Sequence, residues 1–241
     1  DDTVGNNPRA VAAWLDMLGD QGLGNYRSLL EIVSRHPMMG VYLSHLRNQK
    51  ADTRTGRVPD ENYAREVIQL FSIGLVELND DGSARTNGGS GAGSAIHSTE
   101  VKSFLGTTIA AQAQADPTAS LNTALDTLAN HANVGPFIGR QLIQRLVTSN
   151  PSPAYIRAVS LAFANNGRGV RGDIKAVVKA VLMHPEARQL SDNSGKLREP
   201  VLKLAAYLRA FPHTSDTGHW RVGNTDSPAF SLGQTPLRSP S

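Results

Sequence analysis

The sequence predicts an all-α protein, an irregular multi-helix single domain spanning 1–241, with long loops and at most one small β-hairpin. Three observations carry that expectation. Apolar residues recur at helical spacing over most of the chain. Short polar clusters such as SNPSP and NNGRGVRGD punctuate those runs as turns. Only VKSFLGTTIAA alternates, around Gly106, as a hairpin would.

The elements follow in order. NNPRAVAAWLDMLGDQG offers Asn7 as a cap, Pro8 at the first helical position, and Val11, Trp14, Leu15 and Leu18 on one face. NYRSLLEIVSRH and HPMMGVYLSHLRN read as two short helices. From Asp60 to about Ser72, Tyr63, Val67, Leu70 and Phe71 form one stripe, and Gly74 stops the helix. Residues 79–99, rich in Gly, Ser and Asn, are expected to be a mobile loop or a place where sequence has been lost. Helices are then expected at about Thr118–Asn130, Val134–Thr148, Pro153–Asn165, Asp173–Met183 and Leu197–Phe211. Residues 212–241 read as loop with scattered aromatics.

A chain of 241 residues can bury one sizeable core, and 39% apolar with 19% charged residues suits a folded protein. The 24 basic and 21 acidic side chains leave a net charge of only +3. Lys and Arg are scattered singly with few aromatics between them, which argues against nucleic-acid binding. With no cysteine, disulfides, thiolate metal sites and cysteine nucleophiles are excluded. No apolar run reaches the roughly 18 residues of a transmembrane segment. The opening DDTVGNN has neither a basic nor an apolar leader region, so no targeting peptide is expected in it.

Three clusters could carry chemistry. In PDENYAREVIQLFSIGL, Glu61 and Arg65 are four apart on a helix, as are Asn62 and Glu66. That edge reads either as a capped helix with paired charges, or as a site if Glu66 turns inward to a His or Lys. In IHSTEVK, His97 and Lys102 read as a solvated loop or as a base, ligand or anion clamp. In NHANVGPFIGRQLIQRLVTSNPSP, Arg140 and Arg145 need carboxylate partners if both are buried, with Glu61 and Glu66 the natural candidates. There is no H-E-x-x-H, P-loop or G-x-S-x-G.

A further pattern recurs. LLEIVSRHPMM, LDTLANHANVG and VVKAVLMHPEA each end an apolar helix at a His followed by Pro or Ala. His36, His131 and His184 are expected to meet the last carbonyls and the negative end of the helix dipole, with the Pro disfavouring continuation.

Six segments in order, GNYRSLLEIVSRHPMMGVYLSHLRNQKA, PDENYAREVIQLFSIGL, HSTEVKSFLG, NHANVGPFIGRQLIQRLVTSNPSPAYI, NGRGVRGDIKAVVKAVLMHPEAR and GKLREPVLKLAAYLRAF, closely resemble the bacterial domain of unknown function numbered 1800. The resemblance implies a mostly helical, often exported protein, hence a periplasmic or extracellular setting. It implies a secreted sulfatase-like protein as neighbour and partner, but no reaction. Three departures stand out: only a few residues precede WLDML, ARTNGGSGAGSA replaces a Thr-Gly-Trp stretch, and PLRSPS stands where an aromatic-rich tail follows. The resemblance falls on Glu61, Asn62, Arg65, Glu66, His97, Lys102, His131 and Arg140.

Two functions are therefore carried forward. One is a metal-assisted or acid–base hydrolase of envelope or extracellular material. There Glu66, His97, Lys102 and His131 are the catalytic candidates, with Glu66, His97 and His131 as ligands of a divalent metal. The other is a non-catalytic helical scaffold or partner-binding protein, with Glu61, Glu66, Arg65, Arg140 and Arg145 as a buried ion-pair network and Asn62 beside them.

Overall fold

The computed structural model describes residues 6–49, 51–74, 99–189, 194–211, 214–218 and 225–234. The Gly/Ser-rich stretch 79–99, Thr99 excepted, lies outside the described residues, as does His97. Ten helices and one hairpin make up the described regular structure. They are α1 (Pro8–Gln21), α2 (Tyr26–Arg35), α3 (Pro37–Tyr42), α4 (Asn62–Gln69), β1 (Lys102–Phe104), β2 (Thr107–Ile109), α5 (Pro117–Asn130), α6 (Val134–Leu146), α7 (Pro153–Ala164), α8 (Ile174–Met183), α9 (Pro185–Arg188) and α10 (Pro200–Ala210). The fold is all-α with a single small hairpin, as the apolar period requires.

Proline decides several of the starts. Pro8, Pro37, Pro117, Pro153, Pro185 and Pro200 each open a helix, because that position has no intrahelical use for an N–H. The rule also shortens the last predicted helix. Glu199 precedes a proline and is held extended at ψ 148, so α10 begins at Pro200 and not at Leu197. The sequence reading missed α9, a single turn directly after His184.

The chain divides into two compact units, Asp1–Ser194 and Gly195–Ser241. In the smaller unit, Gln234 is nearly fully buried. Its amide accepts from the Val201 N–H at 3.1 Å and donates to Glu199 at 2.8 Å, closing the start of α10.

The larger unit is built on α6, α7 and α8, which pack against one another. Gly135 and Gly139 make this possible. A Cβ on Gly135 would lie 2.8 Å from Ser160 Oγ, and one on Gly139 would lie 3.1 Å from Val159 Cγ1. Val134, Ile143, Tyr155, Val159, Phe163, Val177 and Val181 are sealed inside as a result. Tyr155 donates its hydroxyl to the Val181 carbonyl at 2.5 Å, which satisfies a buried polar group and ties α7 to α8. Burial pushes the Tyr155 hydroxyl up to about 12, so it stays a donor across the physiological range.

The remaining elements dock around this trio. Tyr26 of α2 meets Phe163 edge-on at 5.3 Å and donates to the Phe71 carbonyl at 2.7 Å. The NNGRGVRGD turn is sewn to the start of α2, with Tyr26 N–H donating to Gly172 O and Ile174 N–H to Gly24 O. Arg171 donates to the Ala129 carbonyl in the last turn of α5 and to that of His131 just beyond it (3.0 and 2.9 Å), while its guanidinium lies 5.1 Å from the Phe163 ring. In α1, Trp14, Met17 and Leu18 touch the core, whereas Leu15 is half exposed, contrary to the expected face.

The helix α4 stops earlier than its apolar pattern suggests. Ile73 and Gly74 N–H groups both turn back to the Ile68 carbonyl, which swings Leu70 outward to 57% exposure. Gly74 takes φ +91, and a Cβ there would sit 2.7 Å from Phe137 Cδ2. Gly74→Ala is therefore strained in both backbone and packing. It should lower unfolding stability by about 1–3 kcal/mol, seen as a reduced midpoint with unchanged slope in urea denaturation.

Candidate functional site

The charged front of α4 is a self-satisfied edge. Asp60, one residue ahead of the assigned cap, accepts from the Asn62 N–H at 2.8 Å and from Ser44 Oγ at 2.7 Å. Its backbone N–H and carbonyl are both held by the Asn48 amide. The Asn62 N–H first, then the Ser44 hydroxyl, holds the Asp60 carboxyl below its ordinary value. Arg65 then folds along its own helix, donating to Asn62 Oδ1 at 2.8 Å and to Glu66 Oε1 at 3.4 Å, with Glu61 at 3.7 Å. Arg65 and Glu61 are exposed. Pairs of this kind contribute under about 1 kcal/mol each.

Glu66 is thus a partner of the adjacent Arg65, with a side chain 19% exposed. Arg140 and Arg145 are exposed on α6, so the expected buried network of both arginines with Glu61 and Glu66 is not formed. An arginine open to water needs no buried counter-charge.

His131 has a different duty from the one expected. Its Nδ1 accepts from the Asn133 N–H at 3.2 Å, at the start of α6. His36 Nδ1 accepts from Met38 N–H at 3.1 Å and His184 Nδ1 from Glu186 N–H at 3.3 Å, at the starts of α3 and α9. Through Nδ1 these histidines serve the helix that follows. A backbone N–H only donates, so each Nδ1 is unprotonated in this arrangement.

Behind α4 lies a cavity of about 70 Å³. One wall is Tyr63, Val67 and Ile68 of α4, another the hairpin from Lys102 to Ile109, and a third the face of α5 with Ser120, Leu121 and Leu125. Leu105 and Gly106 have φ of 46° and 75°, the pair of positive values that a two-residue hairpin turn of primed type needs. Lys102 pairs with Ile109 and Phe104 with Thr107. Alternation therefore puts Lys102 and Phe104 on one face, and the Lys102 side chain is buried at 8% exposure. Thr127 Oγ1 donates to Thr107 Oγ1 at 3.1 Å and fastens the hairpin to α5.

Two of the residues lining this apolar cavity carry a buried polar atom with no hydrogen-bond partner among the described residues: Lys102 Nζ and Ser120 Oγ. Lys102 was read from the sequence as a candidate; Ser120, 2% exposed, was missed. Its signal was legible, because Ser120, Ala124 and Leu128 share one helical face and only the first is polar.

A protein-family model described as "Protein of unknown function (DUF1800)" matches residues 3–241. The chain belongs to this family. No curated protein and no solved structure matches it. The DUF1800 description names no reaction, so the chemistry has to come from the side chains themselves. Among the described residues, no three His, Asp or Glu side chains gather where they could hold a metal ion.

The neighbouring His45 also has a buried Nδ1 without a partner among the described residues, and its ring lies 4.2 Å from that of Tyr63. Burial pushes His45 below its ordinary value, while the Ser34 backbone and the Asp60 carboxylate pull weakly upward. Native His45 thus binds fewer protons than the unfolded chain does, so its contribution to stability rises with pH. That contribution is complete above about pH 6.5, where the unfolded imidazole is neutral too, and is lost as pH falls toward the depressed native value. Thermal midpoints measured from pH 7.5 to 5 should fall, and His45→Phe should flatten that slope.

The histidine caps make a separate prediction. His131→Ala removes an acceptor and should cost about 1 kcal/mol, whereas His131→Asn restores one and should recover most of it. Urea midpoints of the two variants decide the matter.

Proposed function

We propose that the protein is a small-molecule-binding helical protein whose site is the cavity between α4, the hairpin and α5. One observation carries this reading: Lys102 and Ser120 both line one apolar cavity, and each carries a buried polar atom, Nζ and Oγ, without a protein partner among the described residues. A buried polar group with no partner is costly. A pocket with a few convergent polar groups on apolar walls is also what small-molecule sites have in common.

A hydrolytic reading has less support at this place. Acid–base chemistry needs a titratable group poised against substrate, and the described lining contributes only Lys102 besides the hydroxyls of Ser103, Ser120 and Tyr63. The Tyr63 hydroxyl is already committed to Ser34 Oγ. Glu66 and His131 are occupied as partner and cap. The proposal sets the protein in the periplasm or outside the cell, with a sulfatase-like partner, on the family resemblance alone.

Stability separates a binding lysine from a structural one. Sites kept for function are held at a loss of stability. Lys102→Met keeps the length of the side chain and removes the unpartnered amine. It should raise the thermal midpoint by about 2–4 °C, the shift expected for about 1 kcal/mol in a chain of this size. A drop of several degrees would show that Lys102 is part of the scaffold and would end the proposal.

A further inference from the structure

Resting on that reading, we propose that the ligand is a short aliphatic carboxylate, its acid group between Lys102 and Ser120 and its tail against the α4 and α5 walls. The two lining residues with unpartnered polar atoms come from different elements, Lys102 from β1 and Ser120 from the first turn of α5. An ammonium only donates, and a serine hydroxyl donates as readily as it accepts. The complementary group is an acceptor with two oxygens, which a carboxylate supplies.

Charge selects the same class. Lys102 is the one charged side chain among the described residues lining the cavity. A single carboxylate balances it and leaves no surplus. A dianionic phosphate would bring a second negative charge into apolar surroundings with nothing opposite it, which is expensive. A cationic ligand would meet Lys102 unshielded.

The walls define the remainder. Val67, Ile68, Leu121 and Leu125 offer only carbon, so the tail is aliphatic and carries no further polar group. A cavity of about 150 Å³ accepts a six-carbon ring. At about 70 Å³, a little under half of that, this one accommodates an acid of roughly two to three carbons.

The test is calorimetric titration of the full chain with acetate, propionate, butyrate, valerate and hexanoate, with 1-propanol and propylamine as neutral and cationic controls. Affinity should rise from acetate to propionate and break off beyond it, with propylamine not binding. Lys102→Met should weaken propionate by at least about 30-fold, the loss expected when one member of a buried charge pair is removed. Ser120→Ala should weaken it by about 5-fold, the worth of one hydrogen bond. Ala124→Leu, which adds bulk to the lining, should move the cut-off toward shorter acids without removing acid selectivity. That variant keeps the test open if Lys102→Met does not fold. If propanol binds as well as propionate, the carboxylate assignment fails while the pocket stands. If no probe binds the wild type, both the assignment and the pocket reading fail.

Discussion

The close approach of α6 to α7 is the contact from which the larger unit is set out. With Gly135 and Gly139 facing Ser160 and Val159, the two backbones come nearer than any side chain would permit. Phe163 and Tyr155 are consequently sealed, and their far sides become the docking surfaces for α2 and α8. The same helix places Asn133 at its start, fully buried, where the side-chain amide donates to the Ile73 carbonyl. Phe137 closes on Gly74 one turn later. The end of α4 is therefore pinned by the start of α6, and this sets Tyr63, Val67 and Ile68 against the cavity. A constraint made of two missing side chains reaches the candidate site through a chain of packed groups.

The histidine joints solve a second problem, one of charge. His36 ends α2 and begins α3, and His184 ends α8 and begins α9. A cap between abutting helices faces the negative end of one dipole and the positive end of the next. Aspartate in that place would be repelled by the carbonyls behind it. Neutral imidazole provides the acceptor through Nδ1 without adding a negative charge. Elsewhere Asn25, Asp116, Ser152 and Asp173 each accept from the first turn of the helix they precede.

Most of the fold was legible because it rests on local signals. Apolar period, Pro at helix starts and the alternation around Gly106 are all readable within a dozen residues. The errors come where a residue has more than one neighbour it could meet. Leu70 was assigned inward because its spacing fits, but the turn onto the Ile68 carbonyl points it away. Arg140 and Arg145 were offered to Glu61 and Glu66, but Arg65 already serves those acids from within α4. The histidines were recognised as joints with their direction reversed, since sequence does not show which neighbour a ring nitrogen meets. Arg171 went unnoticed, because a single Arg in a glycine-rich turn gives no hint that it closes α5, forty residues away.

The contrast between the two faces of α4 directs the functional argument. Outside, Asp60, Asn62, Arg65 and Glu66 attract attention as a charged cluster, yet their bonds are supplied by one another and by the Ser44–Asn48 segment. A polar group whose bonding capacity is engaged has little left for a ligand. Inside, the cavity looks unpromising by composition, since most of its lining is Leu, Val, Ile and Ala. There two polar atoms stand without protein partners among the described residues, although an aliphatic residue at either position would fit better with its surroundings. Folded proteins pair their buried polar groups almost everywhere, and exceptions concentrate where a partner arrives from outside. Unmet bonding capacity, more than density of charge, is therefore the criterion behind the proposed site on the apolar side of α4.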